Sequence, residues 1–301
     1  MASPTFDLSI IILSYNTKDI TLQCLDSIYE SLKGKDNPTT EIIVLDNAST
    51  DGSAEALKKY AHNHENFIFI ENKENIGFGR GNNQAVKEAQ GKYLLLLNSD
   101  TVILDNAITK MYKFYTENED KVQFLGIKLL NKDETPQPSA APFFTPLVVF
   151  GFLFLRGDYW GLTRYSPNTT RQVDWVAGAC ILCKKEYYEK LGGFDEKIFM
   201  YMEEVDLLYR ARKEGYNTYF YPGAHIIHLG SASSGGRTFP ILQVYKGYLY
   251  FYRKHYGKIS MFFLKLMLKL KAALAYLLGR LTGRQYLIKT YEEAYKLVDM
   301  A

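Results

Sequence analysis

The sequence predicts an α/β fold: a mainly parallel central sheet flanked by helices, followed by a basic helical tail. Three observations carry that expectation. Strand-like apolar runs alternate with helix-like segments through the first 115 residues. A polar or glycine-bearing turn follows each strand. The fourth strand, "YLLLLN", runs straight into Ser99 and Asp100. Strand–helix–strand alternation implies right-handed crossovers and parallel pairing. The turns then share one sheet edge, which is the expected ligand crevice.

The strands are expected at 8–13, 41–45, 66–71 and 93–98, and the helices at 17–32, 53–62, 82–90 and 106–115. Four leucines bounded by polar residues read as a strand buried on both faces. Asp100 stands where that strand leaves the core. Asp46 stands at the same place after the second strand. Asp51, just before Gly52 and a helical run, is the better helix cap, which leaves Asp46 free at its strand end. Either Asp46 or Asp100 also has a plainer reading as a turn or helix-start residue. Two strand-end carboxylates suit a divalent cation, which takes oxygen ligands and substrate phosphates.

The second half is less regular. Residues 134–146 carry four prolines and are expected to be loop. Residues 174–186 read as a strand entering a helix, and 217–229 as two short strands around a Pro-Gly turn. The run "FMYMEEVDLLYRARKEGY" reads as a helix with Asp206 and Arg210 paired at i, i+4. Its plainer reading is a solvated amphipathic face. The aromatic, apolar "FMYM" argues instead for partly desolvated acids, whose pKa rises towards that of a useful base.

Two motifs imitate other chemistries. Gly77–Gly81 resembles a dinucleotide fingerprint, but Asn82 replaces the third glycine and the run follows the third strand, not the first. Cys180 and Cys183 with His225 and His228 imitate a zinc site, yet strand residues three apart point to opposite faces. By the same rule, only one of the two histidines faces the site.

The chain of 301 residues carries a formal charge of +3, unevenly spread. From Lys246 onward stand eleven Lys/Arg and three Asp/Glu, so the tail is basic (11 − 3 = +8) and the rest mildly acidic (25 − 30 = −5). Residues 257–284 are apolar with interspersed lysines. At about 100° per residue, Lys258, Lys265, Lys269, Arg280 and Arg284 fall within one arc of about 100°, and only Lys271 lies outside it. That pattern describes an interfacial membrane helix, with a helix pair folded back onto the domain as the alternative. Nucleic acid is not the expected partner. Cys24, Cys180 and Cys183 fit a reducing compartment. The N-terminal segment lacks the features of a signal peptide. A cytoplasmic protein, peripheral on the inner face of the cell membrane, is expected.

With Asp46, Asp100 and the "MEEVD" acids in view, the chain resembles family 2 glycosyltransferases of the GT-A fold, a Rossmann-like architecture, and in particular the rhamnosyltransferase-like members. The matching stretches are "SIIILSYN", "VLDNASTDGS", "NIGFGRGNN", "LLLLNSDT", "WVAGACILCKKE", "GGFDEKIFMYMEEVDLLYRARKEGY" and "HLG", in family order. The resemblance implies a GT-A domain over 1–240, split into a nucleotide-binding half (1–105) and an acceptor-binding half (106–240), with the tail over 241–301. It implies inverting transfer of a sugar, such as rhamnose, from a nucleotide-diphosphate donor. The acceptor would be a hydroxyl of a glycan or lipid-linked glycan in surface-polysaccharide synthesis. It assigns Asp46 to the donor base, Asp100 and His228 to Mg²⁺ or Mn²⁺, and the general base to Glu204, with Glu203 beside it. Donor contacts fall at Ser14, Tyr15, Asn16, Asn75, Gly77, Arg80, Asn82, Ser99, Trp175 and Gly178. Two residues depart from the family pattern. Asn98 replaces the first acid of the Asp-x-Asp-like motif, and the base is Glu where Asp is usual. A sugar nucleotidyltransferase would need a Gly-rich basic loop after the first strand, which is missing. A non-catalytic sugar-nucleotide-binding or membrane scaffold protein would not need Asp100, Glu204 and His228 together.

Overall fold

A computed structural model describes residues 5–34, 36–230 and 236–300. Residues 1–4 of the N-terminal segment, and part of the stretch before 237, lie outside it. The first half alternates as expected: β1 (Phe6–Ser14), α1 (Lys18–Ser31), β2 (Thr40–Asp46), α2 (Ser53–His62), β3 (Phe67–Glu71), α3 (Phe78–Val86), β4 (Gly91–Asn98), β5 (Thr101–Ile103) and α4 (Ala107–Glu117). Strands β3, β2, β1 and β4 lie side by side, all parallel. Beyond β4 the sheet turns mixed. β11 (Cys180–Lys184) runs antiparallel between β4 and β6 (Phe124–Leu130), and β12 (Thr218–His228) follows parallel to β6.

The leucine run shows why such a strand is apolar throughout. Leu94 and Leu96 enter one core layer, with Ala85 of α3 and Val205 of the later helix α7 (Glu203–Lys213). Tyr93, Leu95 and Leu97 enter the other, with Leu25 of α1, Leu57 of α2 and Met111 of α4. A strand covered on both faces has no polar side to show. Cys180 and Cys183 fall into the two different layers, so they do not converge on a zinc ion.

Three expectations are corrected. Helix α3 starts at Phe78, four residues before the expected Asn82. Its glycines are poor helix formers, but a Cβ on Gly81 would stand 2.5 Å from Leu13, so close packing on the sheet overrides propensity. Residues 217–229 form the single strand β12, not two strands. The Pro222-Gly223 turn is absorbed as a register shift between Tyr221 and His225 while pairing with β6 continues on both sides. The proline-rich stretch contains two short pairings, β7 (Pro136–Gln137) on β6 and β8 (Ala140–Ala141) on β10 (Trp175–Val176). The remaining elements before the tail are α5 (Pro146–Phe154), β9 (Arg171–Val173) and α6 (Lys185–Lys190).

The tail is three helices, α8 (Thr238–His255), α9 (Lys258–Thr282) and α10 (Gln285–Met300). Among the described residues no helix is long and apolar enough to cross a membrane. Leu264, Leu268 and Ala272 of α9 and Ala294 and Val298 of α10 are buried in the same layer as Leu94. Lys271, outside the basic arc, donates to the Leu153 carbonyl at the end of α5 at 2.9 Å. One face of the tail is therefore packed on the domain.

Helix α8 is tied down by a buried carboxylate. Asp206 of α7 has no solvent exposure. It meets Arg210 at 2.8 Å, as the i, i+4 spacing implied, and also Lys254 at 2.8 Å and His255 at 2.7 Å from α8. Burial alone would raise its pKa. The hydrogen bond from His255 and the charges of Arg210 and Lys254 outweigh that and hold it at about 2, below the ordinary 3.8. Its folded pKa is depressed, so the stabilisation is present above pH 3.8 and is lost as pH falls towards 2. Asp206→Asn is expected to cost about 3–5 kcal/mol at neutral pH, since it strands buried cationic groups. The gap from wild type should close below about pH 4. Urea denaturation of both proteins across that range is the check; equal midpoints at pH 7 would show that the cluster does not hold α8.

Candidate active site

The turns after β1, β2 and β3 interlock at the expected edge. The Asn16 side-chain oxygen accepts from the Thr50 amide at 2.7 Å, and the Asn16 amide donates to Ser49 Oγ at 2.8 Å. Ser49 in turn donates its amide and hydroxyl to the two oxygens of Asp46, at 2.9 and 2.6 Å. Asp46 is thus fully buried and turned onto its own loop, not free at the strand end. Asp51 takes the capping role, accepting from the first amide of α1 (Lys18, 2.9 Å) and of α2 (Ser53, 3.0 Å). Ser14 is buried beside Thr21 at 3.2 Å, and Ser99 lies against Thr17 at 3.4 Å. Tyr15 is partly exposed at the same edge.

Asn47, which the sequence reading passed over, is the hub of the third turn. Its side chain donates to Asn75 at 2.8 Å and accepts from the Ile76 amide at 3.1 Å. Gly77 follows with φ +89°, and a Cβ there would stand 2.7 Å from the Phe199 carbonyl. Only glycine permits that approach. It brings the β3 turn against the segment that leads into α7. Arg80 is exposed and pairs with Glu196 at 3.5 Å. Asn82 is not brought to the edge: it is buried and donates to the Phe78 carbonyl within α3.

The candidate cation site is built by strand pairing. β12 runs antiparallel to β5, with His228 opposite Thr101, and His228 Nε2 lies 3.3 Å from Asp100 Oδ1. The other ring nitrogen, Nδ1, faces Gln137 Oε1 at 2.7 Å. The Gln137 amide is oriented by its own donation to the His228 carbonyl at 3.2 Å. An amide oxygen only accepts, so Nδ1 carries the proton and Nε2 offers a lone pair. The Asp100 carboxylate and the Nε2 edge of His228 thus face one another at 3.3 Å. Asn98 donates to the same Nε2 at 3.3 Å, and its own side-chain oxygen is buried without a partner. One carboxylate, one imidazole and one amide oxygen form a donor set that fits Mg²⁺ or Mn²⁺, with substrate phosphates and water completing it. Among the described residues no group of three or more His, Cys, Asp or Glu converges on a metal position. His225 faces elsewhere, 3.4 Å from the exposed Asp105.

The acid pair sits at the start of α7. Tyr201 and Met202, just before it, both have left-handed backbone, φ +65° and +78°. Bulky residues adopt that conformation only where the surroundings impose it, at about 1–3 kcal/mol each. Here α8 imposes it: a Cβ on Gly247 would stand 2.7 Å from Met202. Glu203 is buried, and burial together with the adjacent Glu204 charge lifts its pKa well above the ordinary 4.5. Burial also raises Glu204, against the Arg164 charge and backbone amides including that of Gly178. Gly178 is a contact of Glu204, its Cβ position lying 3.4 Å away. Trp175 forms a wall, not an open surface: it is buried, and its indole donates to the Pro142 carbonyl at 2.8 Å. Arg164, absent from the sequence reading, lies with its guanidinium 5.9 Å from that ring and bonded to the Pro138 carbonyl at 3.3 Å.

Residues 137–139 bridge the two halves, from Gln137 on His228 to Ser139, whose carbonyl accepts from the Ala177 amide. Several buried side-chain atoms in these segments lack a hydrogen-bond partner. They are Asn98 Oδ1, Ser139 Oγ, Arg164 Nε, Ser166 Oγ, Glu203 Oε2 and Glu204 Oε2. Native proteins pair nearly all such atoms.

A parallel half-sheet with interlocked edge turns, continued by mixed strands and flanked by helices, is the architecture of the GT-A fold. Residues 9–192 match the profile of Glycosyl transferase family 2, and the chain belongs to that family. Solved structures share the fold. The mannosyltransferase PcManGT from Pyrobaculum calidifontis, in complex with GDP-Man and Mn²⁺, superposes with a TM-score of 0.59 at 17% identity, covering 99% of this chain and 87% of that one. Residues 1–349 of TarS from S. aureus give 0.54 at 16%, covering 87% and 69%. Among relatives, the chain is 35% identical over 131 residues to the poly(ribitol-phosphate) beta-glucosyltransferase of Bacillus spizizenii, which is 43% of this chain and only 20% of that enzyme. It is 26% identical to the N-acetylglucosaminyl-diphospho-decaprenol L-rhamnosyltransferase of Mycobacterium tuberculosis (70% and 73% covered) and 27% identical to the rhamnosyltransferase WbbL of Escherichia coli (73% and 82% covered).

Gln137 orients the His228 ring through Nδ1. Gln137→Leu and His228→Ala are each expected to weaken Mn²⁺ binding in the presence of a nucleoside diphosphate by about 10–100-fold, and His225→Ala to leave it unchanged. Electron paramagnetic resonance titration of free Mn²⁺ decides it. Equal affinities for all four proteins would remove His228 from the site.

Proposed function

We propose that the chain is an inverting, divalent-cation-dependent glycosyltransferase. It moves a sugar, with rhamnose the first candidate, from a nucleotide-diphosphate donor to a hydroxyl of a glycan or lipid-linked glycan in surface-polysaccharide synthesis. The observation that carries this is the Asp100–His228 pair, with Tyr201 in electrostatic reach of its carboxylate and of the acids Glu203 and Glu204. The family membership and the rhamnosyltransferases among its relatives support it. We place the protein in the cytoplasm, at the inner face of the cell membrane, with the tail as its membrane contact.

In this reading Asp100, His228 and the Asn98 amide oxygen hold Mg²⁺ or Mn²⁺. The cation, when bound, neutralises the leaving nucleotide diphosphate. The interlocked turns around Asn16, Asp46 and Asn75 receive the nucleotide. Glu204 takes the proton of the acceptor hydroxyl. The acceptor oxygen bonds to the anomeric carbon while the carbon–oxygen bond to the diphosphate breaks on the opposite face, so the configuration inverts. Glu203, held protonated by burial, leaves the negative charge of the pair on Glu204.

Glu204→Gln is expected to keep donor affinity within a few fold and to lower transfer by roughly 10²–10⁴-fold. The base must be ionised, and its pKa is raised, so the acid limb of kcat/KM should lie above 4.5. Glu203→Gln replaces a neutral acid with a neutral amide and should leave that limb in place. Transfer assays with a panel of sugar nucleotides and Mn²⁺ or Mg²⁺ provide the test. A Glu204→Gln protein with undiminished turnover would overturn the assignment.

A further inference from the structure

Helix α9 has more apolar surface than the domain covers. At about 100° per residue its circumference divides into three sectors. Leu264, Leu268 and Ala272 fill the first, against the core. Lys258, Lys265 and Arg280 border it on one side. The third and widest sector is bare: Ile259, Phe263, Leu270, Leu274, Leu277 and Leu281 are each about half exposed or more. Lys271 closes the far border, and its bond to the Leu153 carbonyl joins that border to the end of α5. Apolar exposure continues there. Leu147 of α5 is 80% exposed, and in the segment that follows Tyr159, Trp160 and Leu162 are 67–77% exposed. A soluble monomer rarely leaves a contiguous apolar area of this kind uncovered.

The charge around this face names its occupant. No Asp or Glu stands between Glu214 and Glu292. Among the described residues no carboxylate lies within ion-pair distance of Lys258, Lys265, Arg280 or Arg284, whereas Lys269 is tied to Asp299. A wide apolar sector beside a basic flank, with a Tyr–Trp pair at its margin, suits the boundary between anionic headgroups and acyl chains. We propose that α9, α5 and the 155–162 segment form one docking face for an anionic bilayer surface, with Trp160 as its aromatic contact. The inference rests on the membrane reading of the tail and extends it to a second element. That element leads into the site: four residues after Trp160 stands Arg164, bonded to Pro138 and stacked near Trp175.

The two tryptophans make the test direct. Trp175 is 4% exposed and hydrogen bonded, while Trp160 is 68% exposed. The full chain is mixed with phosphatidylcholine vesicles with and without 30% phosphatidylglycerol, at low and high salt. Sedimentation and tryptophan emission are followed together. Binding to the anionic vesicles with a blue shift, both salt-sensitive, is expected. Trp160→Phe should abolish the shift, and Trp160→Glu should weaken sedimentation by about tenfold or more. Binding with unchanged emission would overturn the composite face and leave the tail reading standing. A natively folded protein that binds neither vesicle would sink both. A blue-shifted Trp160 in a stable dimer without lipid would assign the face to a second copy and refute the proposal.

Discussion

The buried Asp206 carboxylate holds together the parts on which catalysis would depend. Through Arg210 it stays on its own helix, and through Lys254 and His255 it holds α8. Once α8 is in place, Gly247 lies against Tyr201 and Met202 and leaves them no room to relax from the left-handed region. Gly77 and Phe199 press from the other side. Helix α7 therefore begins with Glu203 buried and Glu204 against Gly178. Two strained residues cost about 1–3 kcal/mol each, and the close approach of Gly247 to Met202 and the Tyr201 carbonyl packs α8 against them. The tail helices are thus structural partners of the acid pair, and truncation at Gly257 would strip Leu264, Leu268 and Val298 from the shared core.

Much of this was readable from the sequence because it follows local rules. Apolar runs gave the strands within two residues, and the i, i+4 spacing gave the Asp206–Arg210 pair. Strand alternation separated His228 from His225. What stayed hidden depends on contacts between distant segments. Gln137 lies in a proline-rich stretch with no period, and it matters only because β7 pairs with the end of β6 next to β12. Arg164 sits in a loop whose position is set by the bridge from Tyr165 to Ala140. Asn47 directly follows a noticed aspartate, and a buried Asn beside a strand end was the available signal. Helix α3 defied its glycines because those glycines let it lie close to the sheet.

The tail illustrates a different limit. Periodicity distinguishes apolar from basic residues around a helix, but not which apolar residues meet the domain. The expected wide apolar face is two faces, one packed and one bare. The packed sector is the folded-back alternative, and the bare sector keeps the interfacial pattern. Both readings describe the same helix at different angles, and Lys271, the exception to the basic arc, marks the boundary between them.

Three carboxyl groups within four residues of one helix start, Glu203, Glu204 and Asp206, all benefit from the same helix dipole. Their fates differ because their neighbours differ. Asp206 is the most deeply buried, yet it is held ionised by the groups around it. Glu203 is buried with an unpartnered oxygen and another carboxyl beside it, which lift its pKa well above the ordinary value. Glu204 lies between these extremes, raised by burial but steadied by Arg164 and nearby amides. An ionised Glu203 would compete with Glu204 for that stabilisation, and a neutral one does not. Environment thus sorts three similar acids into a structural anion, a neutral neighbour and a group able to accept a proton. The sorting rests on α8, because removing its cationic side chains would release Asp206 and loosen the turn that separates the three environments.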